Sequence, residues 1–111
     1  MQDIYVDDIG NGFPLVLVHG YLGSSEMWTL QKEYLSKYFR IIAPALPGFG
    51  ESYKSESLNS IKKMAQFVLQ CLDEKKIDNF NLMGHSMGGM IVQEMAITSP
   101  EKINKLICFA T

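Results

Sequence analysis

Residues 81–90 read NLMGHSMGGM and set Ser86 between Gly84 and Gly88 at the end of an apolar run. The fold turns on whether this serine joins a strand to a helix or merely fills an ordinary turn. A serine at the tip of a tight strand-to-helix junction takes up strained backbone angles, and side chains two residues before and after it would collide as the two elements close up. Glycine at 84 and 88 removes both collisions, and Gly89 adds clearance. The hydroxyl would then lie at a helix N-terminus, where free amides and the helix dipole favour developing negative charge. This is the pattern G-x-S-x-G of a nucleophile elbow. Alone it is weak: nine glycines and nine serines in 111 residues give a chance match with a probability of about 0.06. The flanking sequence has to carry the reading.

It does so on both sides. NFNLMG, ending at Gly84, reads as a strand, and MGGMIVQEMAITS as a helix stopped by Pro100. NKLICFA then reads as a last strand. Upstream, residues 2–9 alternate loosely as a half-buried strand, GNG at 10–12 is turn chemistry, and Leu15–Val18 is apolar on both faces like a covered central strand. After GYLGSS a helix is expected, with Ser24 or Ser25 as N-cap, carrying Met27, Trp28 and Leu35. FRIIAPAL reads as another buried strand, stopped by PGFG. From Ser60, the set Ile61, Met64, Ala65, Val68, Leu69 and Leu72 follows helical spacing without a miss. Strand, helix and strand alternating three times imply an α/β domain of parallel strands joined by right-handed crossovers.

Composition narrows the function. With 47% hydrophobic and 20% charged residues, the chain can bury a core. A net charge of −2 and no block of like charges offer no footprint for nucleic acid or an anionic membrane. No apolar run approaches the roughly 20 residues of a membrane span. The aspartate-bearing N-terminus MQDIYVDDIG lacks the basic region of a secretory or transit signal, so a soluble cytoplasmic protein is expected. Cys71 and Cys108 form no CxxC pair and no cluster with the two histidines, which argues against a metal site; both read as small hydrophobes. Lys62 and Lys63 read as a solvated helix face.

HGYLGSS follows the strand LVLV. In such an arrangement, backbone amides from this loop and from the residue after the serine converge on one oxygen position. Met87 would supply one amide and Tyr21 the other. His19, beside Gly20, reads as a ring bracing the loop rather than as the base. His85, adjacent to Ser86 in a sharp turn, should point away from the hydroxyl and pack below it.

PLVLVHGYLGSSEMW, APALPGFGES and LMGHSMGGMIVQEMAITSPEKINKLICFAT together resemble the N-terminal half of the α/β-hydrolase fold family. The resemblance covers nearly the whole chain. It implies a mostly parallel sheet with helices on both faces and a Ser, acid, His triad in that chain order, acting without a cofactor on an ester, thioester, lactone or related acyl substrate. Ser86 argues against the aspartate-nucleophile branches of the family. Two departures stand out. Ala45 replaces the aspartate of the family's D-x-P-G-x-G-x-S. After Ser86 there is neither histidine nor aspartate, and the remaining carboxylates are Glu94 within a helix and Glu101 in a turn.

These departures imply that residues 1–111 are the N-terminal part of one domain that ends after about the sixth strand of the family fold, without cap region or C-terminal strands. LICFAT should then be an exposed apolar edge that the missing half or a partner chain covers. Trp28, Phe49 and Met87 could line an acyl pocket, but at such positions packing is the commoner role. The competing readings are a non-catalytic binding module of the same fold and a nucleotide-binding α/β domain. The last fails because GHSMGG is not G-x-G-x-x-G and no Gly-Lys pair exists for a P-loop.

Overall fold

The computed structural model of the chain describes residues 6–19, 29–46 and 60–109. They form five strands and three helices: β1 (Val6–Ile9), β2 (Pro14–Val18), α1 (Thr29–Leu35), β3 (Arg40–Pro44), α2 (Ile61–Glu74), β4 (Phe80–His85), α3 (Met87–Thr98) and β5 (Ile103–Phe109). A 3-10 turn, Pro100–Lys102, links α3 to β5. The expected caps Ser24 and Ser25, with Met27 and Trp28, lie outside the described residues.

One sheet holds all five strands in the order β1-β3-β2-β4-β5. Only β1 is antiparallel, against β3; β3, β2, β4 and β5 run parallel. The order explains which face each helix covers. From β2 the chain steps to β3 on one side, then crosses back over β2 to reach β4 on the other. Right-handed crossovers in opposite directions must use opposite faces of the sheet. The packing obeys this. Val16, Val18, Ile42, Phe80 and Leu82 meet the buried residues of α2 and α3, whereas Leu15, Leu17, Ile41 and Ala43 meet Leu35 and Phe39 on the other side. Period-two alternation along β2 therefore buries apolar side chains on both faces, as a covered parallel strand requires.

The spacing expected of α2 is realised: Met64, Ala65, Val68 and Leu72 are buried, with Ile61 and Leu69 packed at the margin. Its start is fixed by Ser60, which is extended at φ −152° and accepts a hydrogen bond from the Lys63 amide at 3.1 Å. That is an N-cap of the ordinary kind.

The antiparallel edge is held by charge. Asp8 on β1 accepts from Arg40 Nε at 2.9 Å and Nη2 at 2.8 Å, and from Lys75 Nζ at the end of α2 at 2.9 Å. Asp7 pairs with Lys32 of α1. The Arg40 hydrogen bonds outweigh partial burial and, with Lys75, hold the Asp8 carboxyl down at about 2, from an ordinary 3.8. A lowered folded-state value means stability that is present above the ordinary value and lost as pH falls through the lowered one. The carboxylate is partly solvated, so its worth is at most about 1 kcal/mol. Asp8→Asn should lower the unfolding free energy at neutral pH, read from urea melts, by that small amount. It should also flatten the loss of stability between about pH 4 and pH 2.

At the opposite edge β5 pairs with β4 alone among the described strands. Leu106 and Ile107 are 41% and 45% exposed, an apolar strand edge of the kind that soluble proteins usually cover. No helix among the described residues is long and apolar enough to cross a membrane.

Candidate functional site

The parallel strands β2, β3 and β4 end together, and in open α/β sheets the carboxyl ends of the strands are where ligands bind. Val18, the last residue of β2, pairs with Gly84 of β4. His19 therefore leaves β2 level with His85, one residue before Ser86 on the neighbouring strand.

Ser86 alone separates the end of β4 at His85 from the start of α3 at Met87. It sits at φ 57° and ψ −119°, a conformation that costs an L-residue of order 1–3 kcal/mol. The turn is closed by the Gly89 amide donating to the Ser86 carbonyl at 2.9 Å. Its compactness is measured by its glycines. A Cβ on Gly84 would lie 2.3 Å from the Gly88 carbonyl oxygen, and one on Gly88 would lie 2.1 Å from the Val18 oxygen and 2.7 Å from that of His19. Both contacts are with backbone, which has little room to give. The first turn of α3 is thus pressed against the ends of both β2 and β4.

The serine is half-buried, and its hydroxyl makes no capping bond to the amides of α3. Ser86 therefore differs from Ser60, whose oxygen is spent on its helix. Met87, as the first residue of α3, carries one of the amides that a helix leaves without an intrahelical acceptor. Its side chain packs in the larger core cluster.

His85 follows the alternation of β4, in which Phe80, Leu82 and Gly84 are buried and Asn81, Met83 and His85 are half-buried. His19 is fully buried, and its Nε2 accepts a hydrogen bond from the Leu46 amide at 2.9 Å. Leu46 escaped the sequence reading because a backbone N–H carries no signature in residue identity. Gly20, Tyr21 and Phe49 lie outside the described residues. Ala45, at the position of the family's aspartate, is buried.

Other chemistry is scarce among the described residues. Burial pushes the Cys71 thiol up to about 12, with Glu74 adding to it, which makes it a poor nucleophile. Among the described residues no three His, Cys, Asp or Glu side chains come together as metal ligands would. Glu94 lies within α3 and Glu101 in the 3-10 turn.

Comparison with known proteins places this architecture. The profile of the alpha/beta hydrolase fold matches residues 14–111, and the chain belongs to that family. It is 32% identical over 97 residues to (E)-2-((N-methylformamido)methylene)succinate hydrolase of Acinetobacter baylyi, covering 87% of this chain and 37% of that one. Over 109 residues it is 33% identical to pimeloyl-[acyl-carrier protein] methyl ester esterase of Vibrio campbellii, covering 98% and 41%. A thermophilic esterase from Thermogutta terrifontis superposes with a TM-score of 0.87 at 30% identity, over 95% of this chain and 39% of that structure. The chain thus spans about two fifths of the length of these hydrolases.

Proposed function

We propose that these residues are the serine-bearing portion of a hydrolase acting on an ester, thioester, lactone or related acyl substrate, with Ser86 as nucleophile. The observation that carries the reading is the state of Ser86: strained, half-buried and with its hydroxyl unspent on the helix it begins. A serine kept only for capping would sit in extended backbone with its oxygen on an amide of the first turn, as Ser60 does. Ser86 does neither, so the strain brings no capping in return. Relatives that include a hydrolase and a methyl ester esterase support the same reaction class.

In this mechanism Ser86 Oγ attacks the acyl carbon while a histidine takes its proton. The tetrahedral intermediate collapses with loss of the alcohol or thiol, to which the histidine returns the proton. Water, deprotonated by the same histidine, then releases the acid. The amides of Met87 and Tyr21 would hold the oxyanion, each worth about 10²–10³ in rate. We assign the triad acid and histidine to residues outside these 111, since no histidine or aspartate follows Ser86. The same missing portion, or a partner chain, would cover the exposed edge of β5.

A fluorophosphonate probe tests the assignment. The longer protein should be labelled at Ser86, and Ser86→Ala should abolish the label. The 111-residue chain alone should label poorly for want of the base. Failure of the longer protein to label would favour a non-catalytic binding module instead.

A further inference from the structure

β1 carries two consecutive aspartates, and successive side chains of a strand turn to opposite faces of its sheet. Asp7 lies opposite Ala43 of β3 and Asp8 opposite Ile42, and residues paired across strands share a face. Ala43 belongs to the cluster that Leu35 of α1 covers, Ile42 to the cluster of α2 and α3. The carboxylates are used accordingly: Asp8 accepts from Lys75 at the end of α2, and Asp7 from Lys32 of α1, 25 residues away in sequence. The two pairs differ in burial. The Lys32 and Asp7 side chains are 12% and 15% exposed, against 29% and 26% for Lys75 and Asp8. Among the ion pairs of the described residues, the one joining β1 to α1 is the most buried.

Burying two charges brings little net stability, because their desolvation offsets much of the attraction; the best-attested use of such a pair is to fix registry. α1 needs a fix of that kind. It has seven residues, about two turns, too few to hold a helix without packing. Among the described residues, Leu35 is the α1 side chain packed on the apolar cluster of β2 and β3, and a single knob leaves a helix free to swivel about it. Lys32 precedes Leu35 by three residues and so lies on the same side of the helix, but its ammonium is held on the next strand out, β1. Two anchors, one on the cluster and one at the sheet edge, give the helix axis a direction.

We propose that Asp7 and Lys32 are positioning residues, whose ion pair sets the placement of α1, the element to which the chain runs from β2 by way of Tyr21. The inference rests on the hydrolase reading above and deepens it, since the Tyr21 amide is one of the two donors assigned there to the oxyanion. Neither side chain is among the reacting groups; each acts through the helix it helps to hold. The pair therefore governs the rate of the chemical step more than the net stability of the fold, and the two quantities can be separated by substitution.

The test uses the longer protein with p-nitrophenyl acetate as probe substrate. Lys32→Met should lower both the urea midpoint and kcat, since it leaves the Asp7 carboxylate buried without this cation. Adding Asp7→Leu should bring the midpoint back to its starting value or above it, because an apolar pair of similar volume carries no desolvation cost. The kcat of that double variant should stay about 10²-fold low, the scale of a 1 Å misplacement, with KM changed by less than about threefold. A pair that served stability alone would let activity return with the midpoint, so recovery of kcat in the double variant would overturn the proposal. Lys32→Arg keeps the charge and should keep kcat within about threefold; a fall as large as that of Lys32→Met would overturn it equally. The pair can also be read directly in the unsubstituted protein, without relying on variants that fold. NMR of the lysine ammonium groups should show a slowly exchanging signal that Lys32→Arg removes, and a Lys32 ammonium exchanging as fast as the exposed lysines would overturn the proposal. Absence of fluorophosphonate label on the unsubstituted protein would instead count against the hydrolase reading, so the two failures remain distinct.

Discussion

Gly88→Ala should destabilise the protein by about 3 kcal/mol or more, although alanine is the better helix former. Residue 88 is the second position of α3, and helix propensity alone would make the change favourable by up to about 1 kcal/mol. The added methyl would stand 2.1 Å from the Val18 carbonyl oxygen and 2.7 Å from that of His19. Overpacking against side chains typically costs about 1–3 kcal/mol. Here the obstacle is the backbone of a central strand, so the cost lies at or above the top of that range. Against a total stability of about 5–15 kcal/mol, such a loss would appear as a large drop in urea midpoint or as failure to accumulate folded protein. Gly84→Ala meets the Gly88 carbonyl at 2.3 Å and should behave alike. An alanine at 88 that raised the midpoint would mean that α3 stands farther from β2 than described.

The same contacts show why this region could be read from residue types. Gly84, Ser86 and Gly88 are spaced by a steric requirement that any strand-to-helix turn this tight must meet, so the pattern and the geometry are two statements of one constraint. α2 was legible for a similar reason, since its apolar set has to lie along one face and Ser60 caps its start. The β2 strand was legible because both of its faces are covered.

Other features depend on partners far away in sequence. Nothing local in VDDI tells that β1 runs antiparallel to β3. That arrangement rests on pairing across 32 residues, illustrated by the Asp8–Arg40 pair. The Leu46 amide on His19 spans 27 residues and leaves no trace in composition. α3 is the instructive middle case. Its sequence is apolar nearly all round, which by itself implies burial on every side, yet Ile97 is 74% exposed and Met90 49%. The periodicity of α3 could not name its buried face. The β4–β5 register shift between Phe80 and Leu82 was equally invisible, because no glycine or proline marks it.

Ser86→Gly should move stability and activity in opposite directions. At φ 57° and ψ −119° a serine carries strain of order 1–3 kcal/mol, whereas glycine occupies this mirror of the extended region freely. Glycine gives back part of that gain through the larger entropy of its unfolded chain, commonly about 0.4–1 kcal/mol. A net stabilisation of about 1 kcal/mol is therefore expected in urea melts. Hydrolysis by the longer protein should fall by about 10⁴-fold or more, the scale reached when a serine nucleophile is removed. Ser86→Ala separates the two effects, since it removes the oxygen but keeps a Cβ in the strained position. It should be as inactive as the glycine variant without its added stability. Were Ser86 only a turn residue, both variants would retain activity. Were the turn relaxed, glycine would be the less stable of the two. The strain is thus measurable apart from the reaction, and the proposed role of the hydroxyl requires both outcomes together.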